Sequence, residues 1–152
     1  MFTFANENKV WWKVNLVARN EATGDVEDAP VMLLYLIFTR SELKQREKRL
    51  QAALGKLRTA KTDAEMQAAA AEFDTIEQRN TADTLDRVRD WRDIVSGADS
   101  TALQFSRESL KALLDDEAQY TRIASGLLEA SRGARAKNSS PGPAGSAASG
   151  QS

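Results

Sequence analysis

A chain of 152 residues with 41% hydrophobic content is long enough to bury one domain core. It contains neither cysteine nor histidine, so there is no disulfide framework or thiolate metal site, and zinc, haem and Ser-His or Cys-His catalysis lack their usual residues. The net charge of −1 hides neighbouring segments of opposite sign.

Met1 to Asn8 carries no basic stretch followed by an apolar run, so nothing there resembles a signal peptide. Phe2-Thr3-Phe4 is the candidate for a short third strand. From Lys9 to Ala18 the chain alternates, with Val10, Trp12, Val14 and Leu16 on one face and Trp11, Lys13, Asn15 and Val17 on the other. That pattern predicts a half-exposed strand. Asn20 to Pro30 is acidic, contains Gly24 and reads as an inter-strand loop. Val31 to Phe38 is apolar throughout and predicts a strand covered on both faces. It is also the longest apolar run, far short of the about 20 residues a membrane-crossing helix needs. A soluble, cytoplasmic protein is the expectation.

Helical spacing begins after Phe38. Thr39-Arg-Ser-Glu42 has the form of a capping box, and Leu43, Leu50, Leu54 and Leu57 follow, predicting a helix to about Thr59. Thr62-Asp-Ala-Glu65 repeats the box. Met66, Ala69, Phe73, Ile76, Asn80, Val88 and Trp91 then mark a long second helix with a candidate break at Asn80-Thr81. Ser106 is placed to cap a short helix holding Leu110, Leu113 and Leu114. A last helix, from Asp116 to Arg132, carries Tyr120, Ile123, Leu127 and Leu128, with Gly133 as its stop. The remainder is Ser, Gly, Ala, Pro and one Gln, a composition that does not order itself. The expected class is α+β, with a small N-terminal antiparallel sheet (1–38), a helical segment of the same domain that includes a helical hairpin (39–137), and a disordered tail (138–152).

Residues 39–62 hold eight Lys or Arg against two acids, and residues 63–90 hold three Arg against eight acids, giving nets of +6 and −5. The two helices are joined by a short connection, so they are expected to lie antiparallel, basic beside acidic. The run Lys44-Gln-Arg-Glu-Lys-Arg49 therefore reads as a solvated face answered by its neighbour. A nucleic-acid-binding regulator working through this helix is the weaker alternative, because the helix lacks the aromatic residues that stack on bases.

Asp115-Asp-Glu117 lacks the spacing of a calcium loop and reads as acids at a helix start. Asp83, Asp86 and Asp90 can share a helical face, but Arg87 and Arg89 are interleaved, which speaks against paired-carboxylate catalysis. No phosphate-cradling glycine motif is present. No enzyme, cofactor or metal is expected.

Core packing accounts for most of Trp11, Trp12, Trp91, Phe105 and Tyr120. Against that stands the second strand, apolar on both sides. One helical layer covers only one of its faces, so the other needs a further helix, a second copy or a client. The candidates for partner contact are Trp11, Trp12, Leu33, Tyr35, Ile37, Trp91 and Phe105.

These residues, in this order, resemble the tail assembly chaperones of long-tailed bacteriophages. The resemblance covers residues 9–138. It rests on a Trp-containing β segment with a Gly- and acid-bearing loop (Trp11-Trp12, Gly24-Asp25), the strand-to-helix step Phe38-Thr-Arg-Ser-Glu-Leu43, and Trp91-Arg-Asp-Ile-Val95 followed by Gly97-Ala-Asp99, Phe105-Ser106, Leu113-Leu-Asp115 and Lys137-Asn138. The family commonly has Gly before the Trp where Asp90 stands, and a loop richer in Gly than Ser96 to Thr101. The resemblance implies a non-catalytic protein that binds the tape measure protein and helps major tail subunits polymerise around it. It implies a place in the host cytoplasm and absence from the finished virion. The family's longer form often arises by a ribosomal frameshift. The implied mechanism shields apolar stripes of the client with an apolar sheet face and helix grooves. Self-association is left open, and neither nucleic acid nor membrane is expected as a partner. The other alternative is a virion structural or head–tail connector subunit.

Overall fold

The computed structural model describes residues 8–95 and 101–139, with side chains to residue 133. The elements follow in the order β1 (Lys9–Arg19), β2 (Val26–Leu36), α1 (Arg40–Thr59), α2 (Asp63–Arg87), β3 (Val88–Arg92), α3 (Arg107–Leu114) and α4 (Glu117–Ser139). This is an α+β architecture: an antiparallel sheet of order β1-β2-β3 with helices packed on one face.

The β1–β2 ribbon is in continuous register from Lys9↔Leu36 to Arg19↔Val26. Its turn is held by the Asn20 side chain, whose Oδ1 accepts from the Ala22 and Thr23 amides, and by Gly24 at φ 75°. β2 thus starts at Val26, earlier than the apolar run suggested. Ladder pairing carries the acidic Glu27 and Asp28 into the strand where both are exposed, so apolarity is not required there.

The core lies beneath one face of this sheet. Val14, Leu16, Val31, Leu33, Tyr35 and Ile37 pack against Ile123, Leu127 and Ala130 of α4 and Leu110 of α3. Close approach is built into α4. A Cβ on Gly126 would sit 2.5 Å from the Tyr35 hydroxyl and 2.8 Å from Val14 Cγ2. Tyr35 donates to the Ile123 carbonyl at 2.7 Å, and the Phe38 amide donates to the buried Ser131 hydroxyl at 3.0 Å.

Both capping boxes form. Thr39 and Thr62 accept from the amides of Glu42 and Glu65, whose carboxylates return bonds to the cap amides. Ser106 caps α3 through the Ser109 amide. The charge sorting is realised in space: Arg46–Asp83, Lys56–Glu72 and Arg87–Glu42 pair α1 with α2. α2 runs unbroken through Asn80-Thr81. Its seam with α1 closes on small residues, with Ala53 and Ala69 buried.

Three expectations are corrected. Val88 and Trp91 belong to β3, not to the second helix. A bulge between Leu34 and Tyr35 leaves Arg89 unpaired, so Val88 and Trp91, three residues apart, both reach the core face. That spacing imitates a helix. Gly133 does not stop the last helix, which continues through it to Ser139, beyond the expected tail boundary at residue 138. Its lack of a side chain serves packing instead, since a Cβ there would lie 2.7 Å from Trp12 Cη2. Finally, among the described residues the helices cover β2 on one face only, the Leu33 and Tyr35 side. The Phe2–Phe4 segment, the Gly97–Asp99 loop and residues 140–152 lie outside the described residues.

Candidate functional site

The site is the sheet face turned away from the helices. Alternation puts Lys9, Trp11, Lys13, Asn15 and Val17 of β1 on that face, and register places Met32, Leu34 and Leu36 of β2 beside them. Trp11 lies opposite Leu34, Lys13 opposite Met32 and Lys9 opposite Leu36. β3 adds Asp90 opposite Leu34 and Arg92 opposite Met32. Burial marks the side: Leu33 and Tyr35 are 0% exposed, whereas Met32, Leu34 and Leu36 between and beside them are only half-buried.

The result is an apolar centre of Trp11, Met32, Leu34 and Leu36 with a mixed charged margin. Arg92 reaches across β2, and its guanidinium carbon stands 3.9 Å from the Trp11 ring centroid. Stacking holds the indole in place and keeps one face of it from water. Among the described residues no helix supplies apolar cover here.

The neighbouring edge of β1 is treated unequally. At Val17 the Gln119 side chain imitates a paired strand, its Oε1 accepting from the Val17 amide at 2.9 Å and its Nε2 donating to the Val17 carbonyl at 2.7 Å. Arg122 donates to the Asn15 carbonyl at 3.2 Å. Trp11 and Lys13 point their backbone groups toward the same edge, and among the described residues nothing bonds them there. The edge is closed at one end and open beside Trp11.

Of the seven residues expected to meet a partner, only Trp11 stands on this face. Leu33, Tyr35, Ile37 and Trp91 are 0%, 0%, 4% and 6% exposed and form the core. Trp12 is half-buried against Gly133. Trp91 donates its indole N–H to the Leu103 carbonyl at 2.8 Å and meets Phe105 edge-on at a centroid separation of 5.0 Å. Met32, Leu34, Leu36 and Arg92 escaped the sequence reading. The signal that finds them is the polar half of β1: Lys13 and Asn15 mark the outward face, and their cross-strand neighbours share it. Register supplies those neighbours, and the sequence alone does not fix register.

Several titratable groups are in structural use. Burial, and then the charge of Glu129, push the Tyr35 phenol above its usual range, so it stays a donor. Burial works against the ionised form of Glu42, yet the Thr39 amide and Arg87 outweigh it and hold the carboxyl below its ordinary value. Asp83 pairs with Arg46, Asp86 with Arg107, and Asp90 accepts from the Trp91 amide. Among the described residues no three carboxylates gather as a metal site, and no helix is long and apolar enough to cross a membrane.

Comparisons with protein families, with curated proteins and with solved structures return no match for this chain.

Proposed function

We propose that this protein is a tail assembly chaperone of the long-tailed bacteriophage type. It binds the tape measure protein and keeps that client's apolar stripes soluble while tail subunits polymerise around it. The observation that carries the reading is the one-sided cover of the sheet among the described residues. A domain that buries one face under helices and leaves Trp11, Met32, Leu34 and Leu36 on the other has a surface suited to a second polypeptide. The client identity comes from the resemblance over residues 9–138; the binding role is what the face supports by its own chemistry.

Mechanistically the face offers two modes of contact. An amphipathic client helix lays its apolar stripe on Leu34 and Leu36, or an extended client segment pairs with the open backbone beside Trp11 and Lys13. Neither requires bond chemistry. The protein acts in the host cytoplasm and is left behind when the tail is complete.

Co-expression with a tape measure protein tests this. Soluble tape measure protein is expected to rise, and to fall back when Leu34 is changed to Glu. Unchanged solubility with the wild-type chain contradicts the proposal. Mass spectrometry of purified particles separates it from a virion subunit, whose peptides would be present in the particle.

A further inference from the structure

A second surface lies where α1, α2 and α4 converge, made of residues the sheet face does not use. A cavity of about 200 Å³ opens there, with a floor of Leu43, Leu50, Ile76 and Leu128. Its walls carry Arg46, Arg49, Arg79 and Arg132 against a single carboxylate, Glu47. Arg46 is answered by Asp83 at 3.0 Å. Arg49, Arg79 and Arg132 have no carboxylate at salt-bridge distance among the described residues. Three guanidinium groups without an ion pair thus gather around an aliphatic floor, beside a helix that otherwise brings an excess of acids.

Apolar residues also recur along both helices of the hairpin. Leu43, Leu50 and Leu57 recur every seven residues on α1, as Met66 and Phe73 do on α2. Leu50, Leu57 and Met66 remain 37%, 41% and 47% exposed. Two helices with seven-residue apolar spacing, joined on an alanine seam and bare beside it, form the groove that a third helix fills in coiled-coil packing.

We propose that this groove receives an acidic amphipathic helix from another protein. Its apolar stripe rests on Leu50, Leu57 and Ile76, and its flanking carboxylates meet Arg49, Arg79 and Arg132. Charge complementarity selects the occupant. A basic or neutral helix fills the floor and leaves the arginines crowded together, whereas an acidic one answers them. Arginine also suits this role by shape, since its planar fork takes a carboxylate through two bonds. A nucleic-acid strand offers the charge but has nothing apolar to cover the leucines, and among the described residues the cavity lining includes no aromatic ring for its bases. Burial already lowers the Arg46 guanidinium from its ordinary value, against the help of Asp83, and Arg49 adds to the effect; incoming carboxylates relieve that crowding.

Fluorescence anisotropy of the full-length protein decides it, with three labelled probes. One is an amphipathic peptide with Leu on its stripe and Glu on its flanks, the second has Lys in place of Glu, and the third is a duplex oligonucleotide. The Glu peptide is expected to bind with an affinity that falls as salt rises, and the Lys peptide to bind about tenfold more weakly or worse. Arg79→Glu combined with Arg132→Glu is expected to cost the Glu peptide about tenfold or more. Neither side chain holds the fold by a bond, so the variant's melting temperature should match the wild type. If it does not, Arg79→Gln with Arg132→Gln gives the same readout, and the Glu-for-Lys peptide comparison needs no variant. Equal binding of the two peptides, tighter binding of the oligonucleotide, or a wild-type dimer in sedimentation that the arginine variant dissociates would each overturn the proposal. Leu34→Glu should leave the Glu peptide's affinity unchanged, so failure here and failure of the sheet-face reading are told apart.

Discussion

At the scale of single residues, the tightest constraint is Gly126. Glycine inside an exposed helix gives up about 1 kcal/mol relative to alanine, so Gly126→Ala should stabilise α4 if nothing faced it. The Tyr35 hydroxyl and Val14 face it instead, at 2.5 Å and 2.8 Å from the position of an added Cβ. Overpacking of this kind typically costs about 1–3 kcal/mol, and a net loss is expected in urea unfolding. Tyr35→Phe removes the nearer obstacle along with its bond to the Ile123 carbonyl, at about 1 kcal/mol. The double variant should therefore lose less than the sum of the two, which a double-mutant cycle reads directly. Additive losses would mean that the hydroxyl and Gly126 do not share the space.

Glu42 makes the pH argument. Its folded carboxyl is held low, so its stabilisation is present above the unfolded value of about 4.3 and lost as pH falls through the lower folded value. Glu42→Gln is thus expected to lower the melting temperature at neutral pH and to flatten its fall in acid. Parallel melting curves for the two proteins across that range would contradict the assignment of the Thr39 amide and Arg87 as its partners.

At the scale of elements, the helix starts were legible and the last strand was not. Thr39, Thr62 and Ser106 each act within three residues of themselves, so the local sequence contains the whole interaction. Thr62→Ala should cost about 1 kcal/mol of stability. β3 was hidden because a bulge is decided by its partner strand: Arg89 is extra only in relation to Leu34 and Tyr35. Gly133 was misread for a similar reason, since its neighbour Trp12 is distant in sequence and near only in the fold. The candidate site shared this fate. Trp11 was visible as an aromatic on a strand's polar side, but Leu34 and Leu36 join it only through register.

The edge of β1 gives the element-scale prediction. Gln119 supplies both a donor and an acceptor to Val17 and so stands in for a neighbouring strand. Gln119→Ala should cost about 1 kcal/mol and lengthen the open edge. Light scattering is expected to show association growing with concentration in the variant but not in the wild type. A variant that stays monodisperse with an unchanged melt would assign Gln119 no guarding role.

The whole molecule is organised in layers. One sheet, one helical cover and a hairpin extending α1 and α2 leave two apolar surfaces with different margins: the Trp11 face, bordered by charges of both signs, and the arginine-walled groove. Both are side-chain surfaces on regular elements. Because Leu34 lies outside the core cluster, Leu34→Glu changes the face without opening a cavity. The direct measurement is titration calorimetry of purified tape measure fragment against wild-type protein and Leu34→Glu, both first shown to melt alike. The account expects an affinity at least about tenfold weaker for the variant, a difference of about 1.4 kcal/mol. Equal affinities would mean that the client, if it binds, binds elsewhere, and that the Trp11 sheet face is not the working surface.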